Sequence, residues 1–234
     1  MLAFALCTLG APVLLGRLTL AALVLTASVS GALSLAAMIG DTLVKLPPPA
    51  GFCELTPRYE FDGRTVAVVS AYMAGESIKL LAMSADCNQL AEAREGKRQL
   101  DDVASYLVFN SDMKMPTPFS VASKCTTLRA SSNSPIGTDV DARLVSVLEK
   151  IKVGEAGYIG VIAEDDNACY TATLTKKRID ADAEKVLVIL QANAVVRTKA
   201  IIVRRQAVYE NPDTIKAALP KLKSDVAAFV EANP

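Results

Sequence analysis

Two β-branched runs, a basic turn and a capped amphipathic helix follow one another from Glu184 to Pro234, and no other part of the chain restricts the fold as tightly. Glu184–Val196 is almost wholly apolar, and Ile201–Tyr209 repeats that character after Arg197-Thr198-Lys199. Two β-prone runs split by a few polar residues predict an antiparallel hairpin. In the second run Ile201, Val203, Ala207 and Tyr209 share one face, while Ile202, Arg204, Gln206 and Val208 share the other, which is mixed. Asn211, Pro212 and Asp213 then supply a cap, a first-turn proline and a negative charge for a helix start. Ile215, Leu219, Leu222, Val226, Phe229 and Val230 form its apolar stripe, which must be buried against the hairpin. Pro220 lies inside that stripe's span and predicts a kink or a break.

Upstream, Gly157–Ala163 and Ala168–Thr175 flank Glu164-Asp165-Asp166-Asn167 and read as a second hairpin, with Lys176–Ala183 as a polar connector. A four-strand antiparallel meander with a helix on one face follows from the two hairpins. Strands are also expected over Gly51–Thr56, Ser77–Ala85 and Val103–Phe109. Helices are expected over Pro57–Ala74, over Asp86–Glu95 with Asp86 as cap, and over Thr117–Ser131 and Thr138–Lys152. In the last of these, Thr138 or Asp139 caps the start, and Val140, Leu144, Val147, Leu148 and Ile151 make the stripe.

The fold class is therefore α+β, a mainly antiparallel twisted sheet flanked by helices in an α/β/α sandwich-like arrangement, preceded by a hydrophobic amino-terminal segment. Over about the last eighty residues the order of hairpin and capped helix resembles that of PsbP-type α/β/α sandwiches. The likeness is one of element order and implies no site and no activity.

The first forty residues carry one charge, Arg17, and Leu18–Ile39 is a charge-free stretch of 22 residues, enough to cross a bilayer as a helix. Residues 1–40 read either as an export signal or as an uncleaved membrane anchor. The small residues after Thr26 favour a signal cut after Ser30 and Ala32 or after Ser34 and Ala36. Residues 41–49, ending in Pro47-Pro48-Pro49, read as a stiff linker, and 50–234 as a single exported domain.

Four cysteines remain beyond the leader, Cys53, Cys87, Cys125 and Cys169, and an even number in an exported domain predicts two disulfides. Neighbours in chain order would pair, Cys53 with Cys87 and Cys125 with Cys169.

Histidine is absent from the chain, which removes the commonest general base near neutral pH and the Ser-His and Cys-His nucleophile pairs. Twenty-five basic residues balance 25 acidic ones, so no net field draws the protein to nucleic acid, which is not expected as a partner. No catalytic residue, metal ligand or cofactor is assigned. The acidic run at Glu164–Asn167 lacks the glycine and alternation of a calcium loop and reads as a solvated turn. Asp101-Asp102 has no acid partner at a telling spacing, and Glu92, Arg94, Glu95, Lys97 and Arg98 read as an exposed helix face. Arg197, Lys199, Arg204 and Arg205 are the candidates for a ligand surface facing an acidic group.

Together these features lead to an expectation of a periplasmic or extracellular α+β protein, a non-catalytic binding or accessory module whose partner is an envelope protein or a small ligand. A single-span protein anchored in the inner membrane through residues 1–40 is the first alternative. A histidine-independent hydrolase, using carboxylates or a Ser-Lys pair, is the second.

Overall fold

A computed structural model of the chain describes residues 35–114, 120–131, 140–179 and 183–234. The signal-or-anchor segment up to residue 34 and the caps expected at Thr138 and Asp139 lie outside the described residues. The described chain runs β1 (Leu35–Ile39), β2 (Thr42–Leu46), β3 (Phe52–Glu54), α1 (Glu60–Gly75), β4 (Ile78–Asp86), α2 (Cys87–Arg94), β5 (Val103–Phe109), α3 (Asn110–Lys114), α4 (Val121–Ser131) and α5 (Val140–Lys150). It continues as β6 (Ala156–Glu164), β7 (Ala168–Arg178), β8 (Glu184–Val196), β9 (Lys199–Val208) and α6 (Pro212–Glu231). Seven strands form one sheet in the order β3-β4-β5-β9-β8-β7-β6, antiparallel at every pairing. The α+β sheet-and-helix architecture expected from the sequence is present.

One face of this sheet carries the main core. Tyr170, Leu174, Val188, Leu190 and Val203 pack there with Ile215, Leu222, Val226 and Phe229 of α6 and Leu144 of α5. Tyr106 meets Phe229 with ring centroids 5.2 Å apart. On the opposite face Met73 of α1 packs on Leu107 and Ile202, and Leu90 of α2 clusters with Leu55, Met83 and Ala85. Helix α4 lies on that side too. Its Cys125 is bonded to Cys169, which registers with Asn193 and through it with Ile202. A second disulfide joins Cys53 of β3 to Cys87 at the start of α2.

Several elements differ from expectation, among them the short helix α3. Residues 41–49 are not simply a linker, because Thr42–Leu46 is strand β2, paired with β1, and Ile39, Val44 and Leu46 are buried in the main core. The folded unit thus begins before Ala50. Asn233 holds this hairpin as another strand would, accepting from the Lys45 N–H at 2.8 Å and donating to the Lys45 carbonyl at 2.9 Å. Tyr106 donates to the Pro47 carbonyl at 2.6 Å, so the proline run is anchored as well.

Helix α6 passes through Pro220 without a break. Pro220 and Lys216, four residues before it, are both exposed, so water can reach the turn in which the proline supplies no N–H donor. The expected polar connector is shorter, since Lys176–Arg178 still belongs to β7. The two-residue turn Arg197-Thr198 has φ of 48° and 67°, the left-handed pair that a tight hairpin with right-handed twist requires. At the far edge, Arg143 of α5 donates to the Ile159 and Val161 carbonyls of β6 at 2.8 and 3.1 Å, which blunts an otherwise open strand.

Candidate functional site

The four basic candidates separate into three places. Arg197 donates to the Leu43 carbonyl at 3.0 Å, and the Lys199 ammonium, almost wholly buried, sits 3.6 Å from Asp41. Both belong to the contact between the β8–β9 turn and the amino-terminal hairpin. Arg205 points into the α6 side of the sheet, where it donates to Asp225 at 2.9 Å, lies 3.8 Å from Asp102 and stacks on Phe52 at 4.6 Å. These three cations are committed to intramolecular partners.

Arg204 is the exception. Alternation along β9 puts it on the face opposite Arg205, in register with Ser105 of β5 and Gln191 of β8, and through Gln191 with Thr171 of β7. The next row on this face is Val103, Gln206, Ile189, Thr173 and Tyr158. Helix α1 covers the β4–β5–β9 part of the face and α4 is bonded at the Cys169 end. Between them the floor stays partly open. Arg204, Gln191, Gln206 and Thr173 are only half-buried, and Tyr158 is exposed.

Among the described residues, Arg204 has no hydrogen-bond or ion-pair partner, and the side-chain amides of Gln191 and Gln206 have none either. Burial pushes the Arg204 guanidinium below its ordinary range, with the nearby Tyr72 of α1 acting in the opposite direction. Lys177, on the same face, is held below the ordinary lysine range by burial first and then by the Arg204 charge, against a smaller pull from Asp101. Lys185, its cross-strand neighbour, is spent on both oxygens of Asp101 at 2.9 Å. A half-buried guanidinium costs desolvation, and among the described residues no hydrogen bond or ion pair offsets it. Burial raises the Tyr158 phenol above the ordinary range, with Thr171 and Arg143 acting against that.

Other charged clusters are paired, although Asp102 Oδ1 is buried without a hydrogen-bond partner among the described residues. Asp165 accepts from the Asn167 and Ala168 N–H groups and from the Tyr170 hydroxyl, each at 3.1 Å, and pairs with Lys223 at 3.2 Å. Burial alone would raise its carboxyl, but these partners outweigh that and hold it low. The acidic turn is thus a docking point for α6 rather than a merely solvated loop. No group of three or more Cys, Asp or Glu among the described residues is arranged to hold a metal ion. Asp101 and Asp102 diverge, the first towards Lys185 and the second towards Arg205 on the other face.

The charged run on α2 is not simply an exposed face. Arg94 reaches wholly buried Asp62 through two bonds of 3.0 and 2.6 Å and stacks on Tyr59 at 3.7 Å. A cleft of about 310 Å³ opens beside it, but its wall cations Arg94, Arg64 and Arg98 are already paired with Asp62, Glu60, and Glu92 and Asp101.

Half-burial without a partner therefore distinguishes Arg204 from unpaired cations such as Arg58 and Lys79, which are exposed. The wider membership of its face, Gln191, Gln206, Lys177 and Tyr72, was not singled out from the sequence. The one available signal was the alternation that makes the even positions of β9 mixed, together with Gln191 interrupting an apolar run. No family model, no curated protein and no solved structure matches this chain.

Proposed function

We propose that the chain is an exported, non-catalytic binding or accessory module of the cell envelope, and that the polar sheet face around Arg204 is its ligand surface. The observation that carries this is the half-buried guanidinium of Arg204, left without a partner among the described residues on a sheet face that α1 and α4 only partly cover. Such an arrangement is unfavourable in the isolated fold and becomes favourable when an outside group accepts from it.

Export is supported by the two disulfides, which persist in an oxidising compartment. The extent of β1 bears on whether the leader is cut or stays as an anchor. With Leu35–Ile39 in a strand, the charge-free stretch upstream shrinks to the 17 residues from Leu18 to Ser34. That length, about 25 Å as a helix, is at the short end of the range for a spanning segment. Among the described residues no helix is long and apolar enough to cross a membrane. A cut after Ala36 would remove part of β1, whereas a cut after Ala32 leaves the hairpin whole. Intact-mass and amino-terminal peptide analysis of the protein isolated from cell fractions tests the reading. It is expected to find a chain starting at Leu33 outside the cytosol. A full-length, reduced chain in the soluble cytosol would rule it out.

A further inference from the structure

We infer that the Arg204 face binds an oxyanion, a carboxylate or phosphate group on a small ligand. The guanidinium of Arg204 is the principal donor, the Gln191 and Gln206 amides are secondary donors, and Lys177 is the supporting charge. Each part of the arrangement points the same way. Arg204 presents a planar fork of N–H groups suited to two oxygens at once, and it has no acceptor of its own among the described residues. Its direct cross-strand neighbour Gln191 and its i+2 neighbour Gln206 share the face and likewise have amides free to donate. Lys177 shares the face six residues along β7 from Thr171, the residue in the Arg204 row, and its charge adds to that of Arg204 at longer range. Asp101, the one acid acting on Lys177, is already held by Lys185. Tyr72, 66% exposed, stands on α1 beside the guanidinium, and Tyr158, 43% exposed, marks the opposite border of the row. The site is therefore cationic at its floor and aromatic at its rims, which fits an anion carried on a small organic body.

A basic surface patch attracts anions only through screened charge, and its cations gain stability from solvent exposure. Arg204 is different, because it is half-buried and unpaired. Removing its charge therefore has opposite effects on stability and on binding. A guanidinium with a structural role would destabilise the fold when removed. One kept for a ligand leaves the ligand-free fold as stable or more so.

This inference rests on the binding-module reading. It is read on the purified oxidised full chain whatever compartment supplied it, so its failure cannot be mistaken for a failure of export. The test is calorimetric titration of that protein with inorganic phosphate and, separately, with succinate, on the wild type, R204Q, R204K and K177Q, with thermal melts of each without ligand. Saturable binding of at least one of the two anions is expected, and whichever binds identifies the oxyanion. Arg204→Gln is expected to weaken it at least tenfold, about 1.4 kcal/mol, while melting no lower than the wild type. Arg204→Lys should fall between, and Lys177→Gln should lose a smaller factor. No saturable binding of either anion tighter than about 1 mM would overturn the inference. So would affinity unchanged in R204Q, or an R204Q fold that melts well below the wild type.

Discussion

Asn233 shows how much one side chain near the carboxyl end can hold. Only 4% exposed, it exchanges two hydrogen bonds with the backbone of Lys45 and donates a third to the Phe229 carbonyl at 2.8 Å. Replacing it with alanine strands the Lys45 N–H and carbonyl of β2 in a part-buried position. Asn233→Ala is expected to cost about 2–3 kcal/mol in denaturant titration. A loss below about 0.5 kcal/mol would mean that water takes over those groups and that the hairpin is held by its apolar contacts alone.

Asp225 makes a prediction about pH. Burial pushes its carboxyl up to about 6 despite the opposing charge and hydrogen bond of Arg205, and Asp102 nearby pushes it further. Asp102 is itself raised by burial, with Arg205 and Lys221 acting against that. An unfolded aspartate titrates near 3.9, so between about 4 and about 6 the native state holds a proton that the unfolded chain has released. The contribution of this group is therefore full below that window and is lost as pH rises through it, by an amount on the order of 2–3 kcal/mol. Asp165, held low, acts in the opposite sense and is lost on acidification. The difference in stability between wild type and Asp225→Asn isolates the first effect. It should change between about pH 4 and 6 and be flat above; a difference constant over pH 4–8 would contradict the assignment.

At the scale of elements, α6 carries its proline in an unbroken helix, with Asn211 and Thr214 forming a reciprocal capping box at its start. Because Pro220 is exposed, its replacement by alanine restores a backbone hydrogen bond without disturbing the core. A gain of about 1–3 kcal/mol is expected by thermal or chemical denaturation. A loss would show that the proline shapes how α6 lies on the sheet. The same helix shows what could be read from the chain. Its stripe, its cap and the strands beneath it follow from local periodicity, and the structure keeps all of them. The β1–β2 hairpin does not follow from local signals. Leu35–Leu46 is short and mixed, and it becomes a hairpin only through burial of Ile39, Val44 and Leu46 against distant Phe229 and Tyr106. Helix α3 was unforeseen for a similar reason, since five residues carry little periodicity and Asp112 depends on Lys124 for a partner. Alternation placed Arg204 and Arg205 on opposite faces, but which face a helix would fill and which would stay partly open is decided by segments far away in sequence. The pairing of Arg94 with Asp62, across 32 residues, was invisible for the same reason.

At the scale of the whole molecule, the two disulfides each tie a helix to the sheet on the side where the core is thinner. Cys53–Cys87 holds the start of α2 to edge strand β3, with Cα atoms 4.9 Å apart, and Cys125–Cys169 holds α4 to β7 at 5.4 Å. Sequence separations of 34 and 44 correspond to about 4 kcal/mol each in the chain-entropy account. The α6 side relies instead on the large apolar cluster. One bridge thus fixes α4, which borders the Arg204 face, and the other fixes α2 on the same side of the sheet, so an open ligand surface can exist beside a firmly packed core. This division of labour requires that both bonds form in the cell. A non-reducing peptide map of the full chain isolated from its native host tests it most directly. The expected result is two crosslinked peptide pairs, Cys53 with Cys87 and Cys125 with Cys169, with none of the four available to an alkylating reagent. Alkylation of these thiols, or a pairing such as Cys53 with Cys125, would contradict the account.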